Sequence, residues 1–172
     1  MGNVEEHVVE QRCPLASIKA SPSIQGIECF DSTVIIRFIQ SIAQKGIEST
    51  KKLKPSPYYN LKTADKITTA SFEDIELIKD CDWVIEAIAE KIEWKTDLYS
   101  KVEAFLSKKA ILTSNTSGLL LSDLTSSMND SLKSRFFITH FFNPPRYMKL
   151  VEFIISDKND KDMVDYMKLF IT

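Results

Sequence analysis

The sequence is short of glycine, and the shortage excludes a particular structure. Its 172 residues hold four, Gly2, Gly26, Gly46 and Gly118. No two are close enough to form G-x-G-x-x-G, the turn that lets a backbone approach a pyrophosphate at a helix N-terminus. Cysteine is equally scarce: Cys13, Cys29 and Cys81 are odd in number and unpatterned, which argues against a disulfide framework and suits a reducing, cytoplasmic location. No metal site is expected. No apolar run is long enough to span a membrane. The formal charge of -2 and pI near 5.8 point away from a nucleic-acid surface. Residues 1–11 carry three glutamates and no basic residue, unlike a secretory signal or a transit peptide.

What is present is one ordinary globular domain, 44% hydrophobic and 27% charged, long enough to bury a core. Residues 1–25 are expected to be irregular, and 26–172 to form the folded unit. Residues 26–31 could be a short strand, with Asp31 or Ser32 capping the next helix. Val34, Ile35, Phe38, Ile39, Ile42 and Ala43 recur at helical spacing, so that helix is expected over 32–45, stopped by Gly46. A basic cluster, Lys51, Lys52 and Lys54, precedes a Pro-rich loop. A short strand is expected within 64–70, and Ser71 with Asp74 resembles a capping box opening a short helix.

Residues 81–90, Cys-Asp-Trp-Val-Ile-Glu-Ala-Ile-Ala-Glu, read as a strand buried on both faces. Glu86 lies inside it and must pair or face a rim; no catalytic role is assigned to it. Leu98, Val102, Phe105 and Leu106 give the next helix a buried stripe. Residues 110–113 form a strand opening into Ser114-Asn115-Thr116-Ser117-Gly118. A short helix is expected near 122–128, and a last one over 161–171, where Met163, Val164, Met167, Phe170 and Ile171 form a stripe that reaches the end of the sequence and suggests a segment cut off from something it packed against. Strand–helix alternation from residue 64 onward argues for a doubly wound, mostly parallel α/β sheet.

The chemistry converges on residues 136–155. An apolar run, Phe136-Phe137-Ile138, delivers His140 to its end; Asn143 and two prolines break it; a second run from Leu150 carries Glu152. A buried, unpaired glutamate costs several kcal/mol, and His140 is the candidate partner. A carboxylate on one imidazole nitrogen fixes the tautomer and makes the other an acid/base group. From spacing alone, a rim histidine and an outward-facing glutamate are the favoured reading.

His140-Phe141-Phe142-Asn143-Pro144-Pro145, with Lys149-Leu150-Val151-Glu152, resembles the signature of the NAD-dependent 3-hydroxyacyl-CoA dehydrogenases. The strand D-x-V-I-E-A-h-x-E (h apolar) at 82–90 and the S-N-T-S-G string resemble the same family. The resemblance runs from about residue 51 to 155 and implies an incomplete Rossmann-like domain. It implies that His140 takes the proton of a substrate 3-hydroxyl, that Glu152 orients it, that Ser117 hydrogen-bonds the substrate oxygen and that Asn143 supports them. Glu90, Lys95 and Asn115 would lie along NAD, Asp31 could be the relic of a ribose-binding aspartate, and the lysines at 51–54 would lie near CoA. Acyl-CoA is the implied substrate, with a homo-oligomer or a complementing chain as partner. The family's first β-turn-α unit and its helical second domain have no counterpart, so exposed apolar edges and marginal stability are expected.

Overall fold

The computed structural model describes residues 5–10, 33–37 and 40–171. In chain order it holds strands β1 (Glu5–Glu10) and β2 (Thr33–Arg37), helix α1 (Gln40–Thr50), strands β3 (Ile67–Ser71) and β4 (Trp83–Glu86), and helix α2 (Ile92–Glu103). Strand β5 (Ile111–Ser114), short helices α3 (Leu121–Leu124) and α4 (Asp130–Lys133), strands β6 (Phe136–Phe141) and β7 (Leu150–Ile155), and helix α5 (Lys161–Ile171) complete it. The main sheet has the order β1-β7-β6-β5-β4, and β2 pairs with β3 in a separate two-stranded parallel sheet. Strands β4, β5 and β6 are parallel; β7 is antiparallel to β6, and β1 to β7. This is the Rossmann-like, mostly parallel α/β sheet expected.

The sheet is covered on both faces, which is why its strands lack polar alternation. Leu112, Phe136 and Ile138 pack against Tyr99 and Val102 of α2, Leu121 and Leu124 of α3 and Leu132 of α4. Ile111, Phe137, Val151 and Phe153 meet Val164 and Met167 of α5 on the opposite face. Trp83 meets Phe170 edge-on at 6.1 Å between ring centroids and donates its indole N–H to Thr113 Oγ1 at 2.9 Å. The stripe of the last helix, expected to have been cut off from its packing partner, instead packs on the sheet. Among the described residues β4 has a strand on one side only, and Ile85 in its middle is exposed.

Several expectations need correction. The helix expected over 32–45 is a strand at Thr33–Arg37 followed by a helix at Gln40–Thr50. Thr33, Val34, Ile35 and Ile36 are four β-branched residues in succession, which favours pairing on a pleated sheet, and β3 supplies the parallel register from Thr33↔Ile67 to Arg37↔Ser71. Gly46 lies inside α1 rather than ending it, with nothing within 4 Å of where a Cβ would stand. Within the expected irregular stretch 1–25, Glu5–Glu10 is a strand, paired from Glu5↔Ile155 to Glu10↔Leu150; β7 offers an edge that local sequence cannot announce. Phe105 is exposed, because α2 ends at Glu103 and helical spacing no longer applies; Lys95 and Tyr99 occupy the buried face with Val102. The strand expected over 81–90 stops at Glu86, where the side chain of Glu86 turns back to accept the Ile88 N–H at 2.5 Å. The strand expected within 26–31, and with it Asp31, lies outside the described residues.

The capping box is present. Asp74 Oδ2 accepts from the Ser71 N–H at 2.9 Å, and Ser71 Oγ accepts from the Glu73 N–H at 3.2 Å, opening the 3-10 helix Phe72–Asp80. Hydrogen bonds from the Ser71 backbone and hydroxyl lower the Asp74 carboxyl below its ordinary range.

Candidate active site

His140 is the fifth residue of β6, and the antiparallel register sets it directly opposite Glu152 of β7. Cross-strand neighbours have Cβ atoms about 4.5–5.5 Å apart, close enough for the side chains to meet. His140 Nδ1 and Glu152 Oε2 are 2.7 Å apart, with the side chains 20% and 33% exposed. The Phe142 ring lies against the imidazole at 4.7 Å. A neutral imidazole that donates Nδ1–H to the carboxylate leaves Nε2 as an acceptor, and no hydrogen bond engages Nε2 among the described residues. The two side chains therefore meet instead of pointing apart along the rim.

The carboxyl ends of β4, β5 and β6 meet here, the edge of an open α/β sheet where ligands bind. Side chains tie the three ends together. Asn115 Oδ1 accepts the Phe141 N–H at 2.9 Å, fixing the backbone next to His140. Glu90 accepts from Thr116 Oγ1 at 2.6 Å and from the Ser117 N–H at 3.2 Å. Glu90 and Asn115 thus act first on the shape of the S-N-T-S-G loop. Ser117 is exposed on that loop, and Asn143 is exposed at the rim beyond β6.

Lys95 is not open to a ligand. Its ammonium is fully buried, 2.7 Å from Glu86 Oε1 and 3.3 Å from the Ile88 carbonyl. Its influence on the site runs through the turn that carries Glu90. Glu86 also accepts from Tyr99 OH at 2.7 Å and Ser114 Oγ at 2.6 Å, so with Ile88 N–H and Lys95 about four acceptor positions of the carboxylate are taken. Burial, and then the charge of Glu86, push the Tyr99 hydroxyl far above its ordinary range. Sequence reasoning gave Thr116, Tyr99 and Ser114 no role. Their partners lie on other elements, and only the buried glutamate signalled that partners had to exist.

The fold is that of a Rossmann-like α/β domain with an imidazole–carboxylate pair at its strand ends. The family model described as 3-hydroxyacyl-CoA dehydrogenase, NAD binding domain, matches residues 32–172, and the chain belongs to that family. A Rickettsia felis protein named as a fatty acid oxidation complex trifunctional enzyme is 45% identical over 132 residues, 76% of this chain and 18% of that protein. The human mitochondrial hydroxyacyl-coenzyme A dehydrogenase is 32% identical over 139 residues, 73% of this chain and 44% of that protein. The solved structure of a 3-hydroxyacyl-CoA dehydrogenase from Archaeoglobus fulgidus superposes with a TM-score of 0.65 at 28% identity, covering 81% of this chain and 44% of that one. The chain therefore spans less than half the length of these relatives. No helix among the described residues is long and apolar enough to cross a membrane.

Proposed function

We propose that this chain carries the acid/base half of a 3-hydroxyacyl-CoA dehydrogenase, acting on the 3-hydroxyl of an acyl-CoA in fatty acid β-oxidation. The observation that carries the reading is the His140–Glu152 pair, with Nε2 unengaged at the strand ends. Glu152 holds Nδ1–H, so Nε2 takes the hydroxyl proton as C3 is oxidised and returns it in the reverse reaction. Ser117, exposed on the neighbouring loop, donates to the substrate oxygen, and Asn143 supports the pair from the rim. Glu90 and Asn115 set the loop that the nicotinamide end of the cofactor would meet.

NAD, the family's cofactor, accepts the hydride when bound. The residues present do not fit its diphosphate. The sequence has no glycine-rich turn. A diphosphate without backbone donors and a helix terminus binds poorly. Activity of the chain alone is therefore impaired, and a complementing chain is the partner this reading calls for. The same missing turn favours a second reading, a non-catalytic module that binds CoA thioesters or a partner. Homo-oligomer formation and a cytoplasmic location belong to the first reading as expectations.

The test is a fluorescence titration of NADH into the purified chain, followed by acetoacetyl-CoA reduction, with His140→Ala in parallel. Turnover lost in the variant supports the dehydrogenase reading. Acetoacetyl-CoA binding without NADH binding supports the module. Binding of neither ligand contradicts activity of the chain alone and CoA-thioester binding, and leaves the partner-complementing reading.

A further inference from the structure

Arg146, six residues beyond His140, belongs to no part of the acid/base couple, yet its polar contacts reach 90 and 88 residues back along the chain. Its Nη1 donates to the carbonyl of Ser56 at 2.9 Å and to that of Tyr58. Its guanidinium carbon lies 5.8 Å from the Tyr59 ring centroid and 5.7 Å from that of Tyr147. Tyr147 adds a second tie, its hydroxyl donating to the Ser56 carbonyl at 2.9 Å. The other side of the joint is anchored in turn. Tyr58 OH lies 2.6 Å from Thr50 Oγ1 at the end of α1, and Ser56 Oγ accepts from the Tyr58 N–H at 3.2 Å. The loop bearing Arg146 is closed on itself by Tyr147 N–H and Met148 N–H, both donated to the Pro144 carbonyl.

These contacts join two segments of different character. One is the loop leading out of β6 behind His140. The other carries Lys52 and Lys54, both exposed, and the exposed ring of Tyr59. A planar fork suits this joint, since a guanidinium offers five donors and two faces for stacking, whereas an ammonium offers a point charge. We infer that Arg146 is a positioning residue that yokes the basic segment 51–59 to the loop behind His140, so that a polyanionic CoA thioester is held by one surface continuous with the acid/base pair. The inference rests on the substrate class proposed above. The yoke itself is a property of the free chain.

The test has two arms on the full chain, comparing wild type, Arg146→Ala and Arg146→Lys. The first is amide hydrogen exchange without ligand. In Arg146→Ala, exchange over residues 54–60 and 143–149 accelerates about tenfold or more, as local opening becomes easier, while β5 and β6 keep their protection. Unchanged exchange over 54–60 would overturn the yoke. The second arm measures binding of acetoacetyl-CoA and of acetoacetyl-pantetheine, which lacks the nucleotide. In Arg146→Ala the dissociation constant for acetoacetyl-CoA rises about tenfold, and that for the pantetheine thioester changes less than about twofold. Arg146→Lys, which keeps the charge, does not restore acetoacetyl-CoA affinity. Equal weakening of both ligands, or wild-type affinity in Arg146→Lys, would overturn the positioning role. If the wild-type chain binds neither thioester, the proposed substrate class fails and the positioning role with it; the exchange arm still decides whether Arg146 is a yoke.

Discussion

Two carboxylate–base pairs, each 2.7 Å between heavy atoms, stand on the same sheet. Glu86 of β4 meets Lys95 of α2, and Glu152 of β7 meets His140 of β6. In the first, the side chains of Lys95 and Glu86 are 0% and 2% exposed, and the carboxylate is filled by Lys95, Tyr99, Ser114 and the Ile88 N–H. The second is half-buried, and its imidazole keeps one nitrogen unengaged. Distance alone does not separate a structural pair from a reactive one. What separates them is whether any bonding position is left over. A saturated buried pair holds a turn in place and has nothing to offer a substrate, whereas a pair at the strand ends with a free acceptor can move a proton.

The comparison breaks most visibly at Lys95. Removing one partner of a buried pair leaves an uncompensated charge, so Lys95→Met costs about 3–5 kcal/mol of folding stability, read from the denaturant midpoint. Replacing both members, Glu86→Gln with Lys95→Met, removes the unpaired charge, keeps an acceptor for Tyr99 and Ser114, and recovers part of that loss. A double variant as unstable as the single one would show that Glu86 is not the reason for the loss.

Tyr99 gives the next effect. Tyr99→Phe removes a hydrogen bond to a charged acceptor and costs about 1.5–3 kcal/mol. Its pH dependence has a definite sign. The hydroxyl ionises at higher pH in the folded chain than in the unfolded one, so its contribution is complete below about pH 10 and is lost as pH rises beyond that. The alkaline decline in stability is therefore smaller in Tyr99→Phe than in the wild type.

Glu152→Gln produces the smallest change in stability, under about 1 kcal/mol for a partly exposed pair. Its consequence is chemical. Any acetoacetyl-CoA turnover by the chain, with or without a complementing partner, falls with this variant while the denaturant midpoint stays close to wild type. An equal fall in midpoint and turnover would make the second pair structural like the first.

Much of this was legible in the sequence because the relevant signals are local or repeat along it. The apolar runs at 81–90, 110–113, 136–138 and 150–155 announce strands, the first reaching four residues beyond β4, and the 3.6 period at 161–171 announces α5. The broken strand ending at His140, with Glu152 in the next run, offers the two residues as candidates, but spacing alone favours a rim histidine, and only the family resemblance points to the couple. The legible part ends where partners are distant. Lys95 reads as a polar position on a helix until β4 is set beside it with Glu86. Arg146 finds its carbonyls 88 and 90 residues away. Strand β2 was hidden because Val34, Ile35, Phe38 and Ile39 satisfy a helical period as well as a strand composition, and the parallel partner β3 decides between them. Strand β1 exists by pairing with an edge 140 or more residues further on.

The most direct test is the protonation pattern of His140 in the free chain, read by long-range proton–nitrogen NMR with the imidazole neutral and the resonance assigned by comparison with His140→Ala. The account predicts a protonated Nδ1 and a bare Nε2, with the preference weakened in Glu152→Gln. A protonated Nε2 in the wild-type chain would mean that Glu152 does not set the tautomer and that the acid/base reading of the pair is wrong.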